Sequence, residues 1–228
     1  MCWFIQTFKS SLGKKYIMAI TGGLMGAFLV IHAIGNSSVF WGRDAFNSYA
    51  HHLHSLGPLV PLFEICLYAV FFAHVITAIV LFLQNQQAGG GRFAVYGSKY
   101  AVQANAGGRT IGSRTMPYTG AVILVFILMH MVNFHFKEKT AVHPISDFMN
   151  EVLHNPCFTI LYLIGLAALF LHISHGFWSL LQTLGISHPK YDRPLRVIAW
   201  ALAGCMAAVF VLVTLRMLFA PFAPVFPC

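Results

Sequence analysis

The stretch CFTILYLIGLAALFLHISHGFWSLL, residues 157–181, decides the fold. It contains no Asp, Glu, Lys or Arg. A hydrocarbon layer about 30 Å thick is crossed by roughly 20 apolar residues in an α-helix. A helix also satisfies its own backbone hydrogen bonds, which lipid cannot do. The segment therefore reads as a transmembrane helix. Its anomalies are His172 and His175, because ionisable side chains at such depth are costly and mark function.

Four more stretches of this kind lie outward from it, at about 16–36, 62–83, 117–136 and 195–220. Pro117 falls near the predicted start of its helix, where a missing N–H costs least. The five spans occupy about half of the 228 residues, and the chain is 58% hydrophobic but only 9% charged. Soluble domains carry about 25% charged residues. The sequence thus predicts an all-α integral membrane protein, a five-transmembrane-helix bundle forming one membrane domain over residues 1–228. The stretch 84–116 is rich in Gly, Asn and Gln, and Gly89, Gly90 and Gly91 within it signal a loop. Residues 47–56 suit a short interfacial helix. No internal repeat, P-loop or dinucleotide fingerprint stands out. The first apolar run follows basic residues but is longer than a signal-peptide core, so it reads as a retained span.

The formal charge is +8, but the basic residues sit between apolar runs rather than in an aromatic-studded patch. They read as a membrane topology signal and not as a nucleic-acid footprint, with lipid as the surrounding partner. Lys9, Lys14, Lys15, Arg92, Lys99, Arg109, Arg114, Lys190, Arg193 and Arg196 fall on one side. Arg43, Lys137, Lys139 and Arg216 fall on the other. The richer side is expected to be cytoplasmic, which puts the N-terminus inside and the C-terminus outside a bacterial-type inner membrane. Cys2, Cys66, Cys157, Cys205 and Cys228 form no C-x-x-C-H, so any haem is held without covalent attachment.

Four histidines fall away from the ends of the spans, one on each of the first four: His32, His74, His130 and His172. At 1.5 Å per residue, His32 and His130 lie roughly 6 and 9 Å from the outer ends of their helices. His74 and His172 each lie roughly 14 Å from the inner ends. The four sort into two pairs of matched depth, an outer His32/His130 and an inner His74/His172. Two imidazoles at one depth on facing helices can supply both axial ligands of a haem iron. Such a closed coordination shell suits electron transfer. Gly22, Gly23, Gly26, Gly120, Gly165 and Gly176 could let a flat macrocycle approach. His175, one turn beyond His172, is the alternative ligand. His135 falls on a different α-helical face from His130. His51, His52, His54, His143, His154 and His188 read as interfacial or solvated.

These motifs carry a family likeness. The chain resembles the dihaem cytochrome b subunit of succinate:quinone oxidoreductases, the class with a single five-helix anchor subunit. The likeness rests on LVIHAIGN (29–36), DAFNSYAH (44–51), FFAHVITA (71–78), LMHMVN (128–133) and LHISHGFWSLLQTLG (171–185). It implies that His32, His74, His130 and His172 bind two b haems enclosed by the first four helices, paired first with third and second with fourth. It also implies a flavoprotein subunit and an iron–sulfur subunit as partners on the cytoplasmic face. Menaquinone or another quinone would exchange electrons with them through the haems, in succinate dehydrogenase or fumarate reductase. Nothing in the sequence would bind FAD or ligate an iron–sulfur cluster with four thiolates, so the dicarboxylate chemistry is expected on a partner.

Cytochrome b subunits of other respiratory oxidoreductases place two ligand histidines on one helix or use the last helix, and neither pattern occurs here. A transporter with relay histidines would tend to show broken helices and internal repeats. Glu64 is the only acid predicted within a span, at the outer start of the second. It is the expected site of quinone-linked proton transfer, unless it pairs with Arg43 or snorkels to water.

Overall fold

The computed structural model describes residue 6 and residues 10–88, 111–140, 143–186, 188 and 190–223. Arg92, Lys99, Arg109 and the predicted loop around Gly89–Gly91 lie outside them, as do Lys9, Cys2, Cys228 and the side chain of Arg114. The described residues are mostly helical and contain no strand. The helices are α1 (Ser11–Ser37), α2 (Arg43–His54), α3 (Leu59–Ala88), α4 (Ile111–His130), α5 (Ile145–Leu153), α6 (Pro156–Thr183) and α7 (Asp192–Phe219). Helices α1, α3, α4, α6 and α7 are long and apolar enough to cross a membrane.

Helix ends follow local chemistry. Ser10 caps α1 by accepting the amide of Gly13 at 3.0 Å. Asn155 caps α6 by accepting from Cys157 at 2.9 Å, with Pro156 in the first turn, where its missing N–H is harmless. Helix α4 begins six residues earlier than the apolar pattern suggests, so Pro117 sits inside it. The described span continues past His130 in a π-turn over Met131–His135, closed by the Phe136 amide on the Met131 carbonyl at 3.0 Å.

Helix α6 is central and packs on α7, α4 and α1, while α1 also packs on α3 and α7. No residue in the most apolar stretch of α3 is buried by protein. A helix apolar all round and uncovered by its own chain has lipid as its solvent. Exposed Leu62, Ile65, Phe72, Ile76 and Ile79 form that surface.

The most fully buried cluster lies at one end of the bundle. Val39, Phe46, Met149, Val152, Leu153, Tyr162, Val213, Met217 and Phe222 join there beneath α2 and α5. Polar contacts fasten this cap. Arg43 pairs with Asp147 and donates to the carbonyl of Ala223 at 2.8 Å. Asn47 and Ser146 exchange hydrogen bonds at 3.1 and 3.4 Å, and Asn150 does so with the backbone of Phe222 at 2.9 and 3.0 Å. The predicted interfacial helix is therefore a lid helix, and α5, whose 9 residues are too few to span, completes it.

Candidate functional site

The four span histidines meet in two pairs. The rings of His32 on α1 and His130 on α4 are 5.9 Å apart between centroids, toward the capped end. Those of His74 on α3 and His172 on α6 are 6.4 Å apart, deeper toward the opposite end. Neither α1–α4 nor α3–α6 is a closely packed helix pair, so side chains bridge backbones that stand apart. With metal–nitrogen bonds of about 2.0 Å and ring nitrogens about 1.2 Å from their ring centres, one metal ion could be shared by two imidazoles whose centres stand about 6.4 Å apart. Both pairs are close to that spacing.

The surroundings fit a macrocyclic metal group. His130 Nδ1 is buried without a hydrogen-bond partner, and an orphaned imidazole nitrogen in a membrane interior is costly. Among the described residues no three His, Cys, Asp or Glu side chains converge as they would for a bare ion. Two protein ligands per site suffice when the group supplies the other positions itself. Phe28 stacks on His32 at 5.3 Å, and Phe126, Phe134 and Tyr162 surround His130 at 6.0, 5.2 and 6.1 Å.

The glycines divide by role. A Cβ on Gly22 would stand 3.2 Å from His74 Cε1, and one on Gly120 would stand 3.6 Å from His172 Cε1. These two admit the inner histidines. Gly165 instead receives the ring of Phe126, which an added Cβ would overlap. Around Gly26 and Gly176 there is open space within 4 Å.

Thr21 Oγ1 lies 3.0 Å from His74 Nδ1, and Thr119 Oγ1 lies 3.2 Å from His172 Nδ1. Each threonine precedes its histidine by 53 residues. A constant shift of 98 positions relates Thr21, Gly22, Phe28, His32 and His74 to Thr119, Gly120, Phe126, His130 and His172. The helix pair α1–α3 thus repeats in α4–α6, contrary to the expectation of no internal repeat. Few identities survive between the halves, T-G-x5-F-x3-H (21–32 and 119–130) among them, and the contacts show that corresponding positions play corresponding parts.

Near the capped end, Glu64 faces α4 and not Arg43, whose carboxylate partner is Asp147. Its Oε1 is 3.8 Å from His135 Nδ1, and Tyr68 Oη is 3.1 Å from His135 Nε2. Lys139 donates to the His135 carbonyl at 3.2 Å. Burial pulls its ammonium below the usual lysine range, while the Glu64 carboxylate works in the opposite sense. His135 is the last residue of the π-turn that follows α4. At 100° per residue, five residues would rotate it about 140° from His130. His135 meets Glu64 and Tyr68 on α3, whereas His130 meets His32 on α1 and Tyr162 on α6. Beside this group, Phe63 helps line an apolar recess of about 250 Å³ between α1 and α3, with Phe28 and Leu24 on its other wall. His154 is exposed, as expected of a solvated residue, and its Nδ1 lies 3.0 Å from the Leu218 carbonyl.

Fold and site together define a multi-pass, all-helical membrane protein with paired intramembrane histidines. The chain is 27% identical over 176 residues to the succinate dehydrogenase cytochrome b558 subunit of Bacillus subtilis (strain 168), a match covering 74% of this chain and 78% of that protein. That likeness supports the succinate dehydrogenase cytochrome b family read from the motifs. No protein-family model and no solved structure matches the chain.

Proposed function

We propose that this chain is the membrane-anchor cytochrome b subunit of a succinate:quinone oxidoreductase or quinol:fumarate reductase. His32 and His130 would hold the outer of two b haems, and His74 and His172 the inner one. The observation that carries this reading is the two histidine pairs, each joining rings from two helices 5.9 and 6.4 Å apart at two depths. Haem iron with two imidazole ligands supplies one-electron transfer without an open coordination site.

The chain's own residues orient those ligands, exclude water with aromatic walls, and separate the two pairs along the membrane normal. The capped end faces outward and the opposite end faces the cytoplasm. There Lys14, Lys15, Lys190, Arg193 and Arg196 form a basic surface for the iron–sulfur subunit, which the flavoprotein subunit accompanies. Menaquinone or another quinone reacts beside the outer pair, where Glu64 accepts or returns its proton. Tyr68 and His135 support this role, since they extend the carboxylate into a short chain of proton-exchanging groups. A reduced-minus-oxidised spectrum of the purified complex, with a redox titration, tests the reading. It predicts b-type bands titrating in two steps. A complex without b-type haem would refute it.

A further inference from the structure

We infer that Thr21 and Thr119 are positioning residues for the inner histidine pair, each accepting the Nδ1–H of its histidine and so leaving Nε2 as the metal-binding nitrogen. The inference rests on the haem reading above.

The direction of these hydrogen bonds follows from the threonine surroundings. Thr21 Oγ1 is 2.7 Å from the carbonyl of Ile17 and 3.2 Å from that of Met18. Thr119 Oγ1 is 3.0 Å from the carbonyl of Thr115 and 3.2 Å from that of Met116. A hydroxyl has one proton to donate and two lone pairs with which to accept. Each proton goes back to the helix's own carbonyls, so toward the imidazole the oxygen accepts. The ring nitrogen opposite must carry hydrogen. A neutral imidazole protonated at Nδ1 has its lone pair at Nε2.

Both threonines are buried, at 8% and 7% exposure, so water does not compete for the contact. Gly22 and Gly120 follow them directly and leave room for the rings. The arrangement occurs twice at one sequence separation, on different helices. Threonine often bonds back to its own helix without further role. A chance back-bond would not place the same histidine nitrogen on the same hydroxyl in both halves. The outer pair differs, since His130 Nδ1 has no partner. Accepting from a ligand's second N–H makes the ligand more basic. A more basic ligand favours ferric over ferrous iron, so this hydroxyl lowers the potential of the inner haem and helps retain it.

The test uses the assembled complex carrying Thr21→Val, Thr119→Val, or the serine variants at the same positions. The midpoint potential of each haem is titrated optically, and the ferric low-spin EPR signals are recorded. Valine at either position should shift the inner-haem potential positive, change its EPR signal, and weaken haem retention by about 10- to 100-fold. The outer haem should not move, and serine should restore wild-type values. If valine variants lose the inner haem entirely, the serine variants decide. Wild-type potential and retention with serine support the hydroxyl, and loss with serine too assigns the effect to packing and overturns the inference. Unchanged inner-haem potential and EPR signal in both valine variants also overturn it. Retention of both haems in His74→Ala would instead sink the haem assignment itself.

Discussion

Gly165 offers a direct test of the packing around the outer histidine pair. An alanine Cβ there would overlap the ring of Phe126, which lies 5.2 Å from the ring of Tyr162 and 6.0 Å from that of His130. Tyr162 in turn accepts from Asn133 at 3.3 Å, so the ring has little freedom to retreat. Overpacking of this kind costs about 1–3 kcal/mol. Alanine also gains about 1 kcal/mol over glycine in a helix interior. Gly204 on α7 provides the control, since its nearest neighbour to an added Cβ is Phe170 Cε2 at 3.9 Å, an ordinary contact. The helix gain applies to both sites and cancels in the difference. Gly165→Ala should therefore be less stable than Gly204→Ala by about 1–3 kcal/mol. Equilibrium unfolding of the purified protein in one detergent, followed by far-ultraviolet circular dichroism, measures that difference. The outer haem spectrum of Gly165→Ala should also change, because Phe126 borders His130. Equal stability of the two variants would refute the claim that Gly165 exists to seat this ring.

Alanine at His32 or His130 should remove the outer haem, and alanine at His74 or His172 the inner one, each lowering the haem content of the purified complex from two to one. Loss of a haem in His175→Ala, with both retained in His172→Ala, would reverse the assignment on α6. Glu64→Gln should abolish quinol-linked turnover while succinate-to-dye activity and both haem spectra persist, and normal quinol activity would reject the carboxylate's role. Arg43→Ala should destabilise the cap by about 1–2 kcal/mol, as loss of a partly exposed charged hydrogen bond does. Hydrogen exchange should then quicken in α2 and α5 while α6 keeps its protection.

The sequence by itself determined the membrane class, the five spans and the four histidines. Each depends on short-range information, because apolar run length measures bilayer thickness and an ionisable residue within such a run stands out against it. Depth also sorted the histidines into pairs, since helical rise converts sequence position into distance along one axis. Only the tertiary structure decided what lies across that axis. Thr21 and Thr119 look like ordinary small polar residues of membrane helices until a histidine on another helix meets their hydroxyls. His135 lies on a different face from His130, and its partners on α3, Glu64 and Tyr68, appear only once the helices are packed. The internal repeat was hidden for a related reason. The T-G-x5-F-x3-H identities stand in the sequence, but lipid-facing positions accept almost any apolar residue, so few others survive and the matching contacts make the repeat evident.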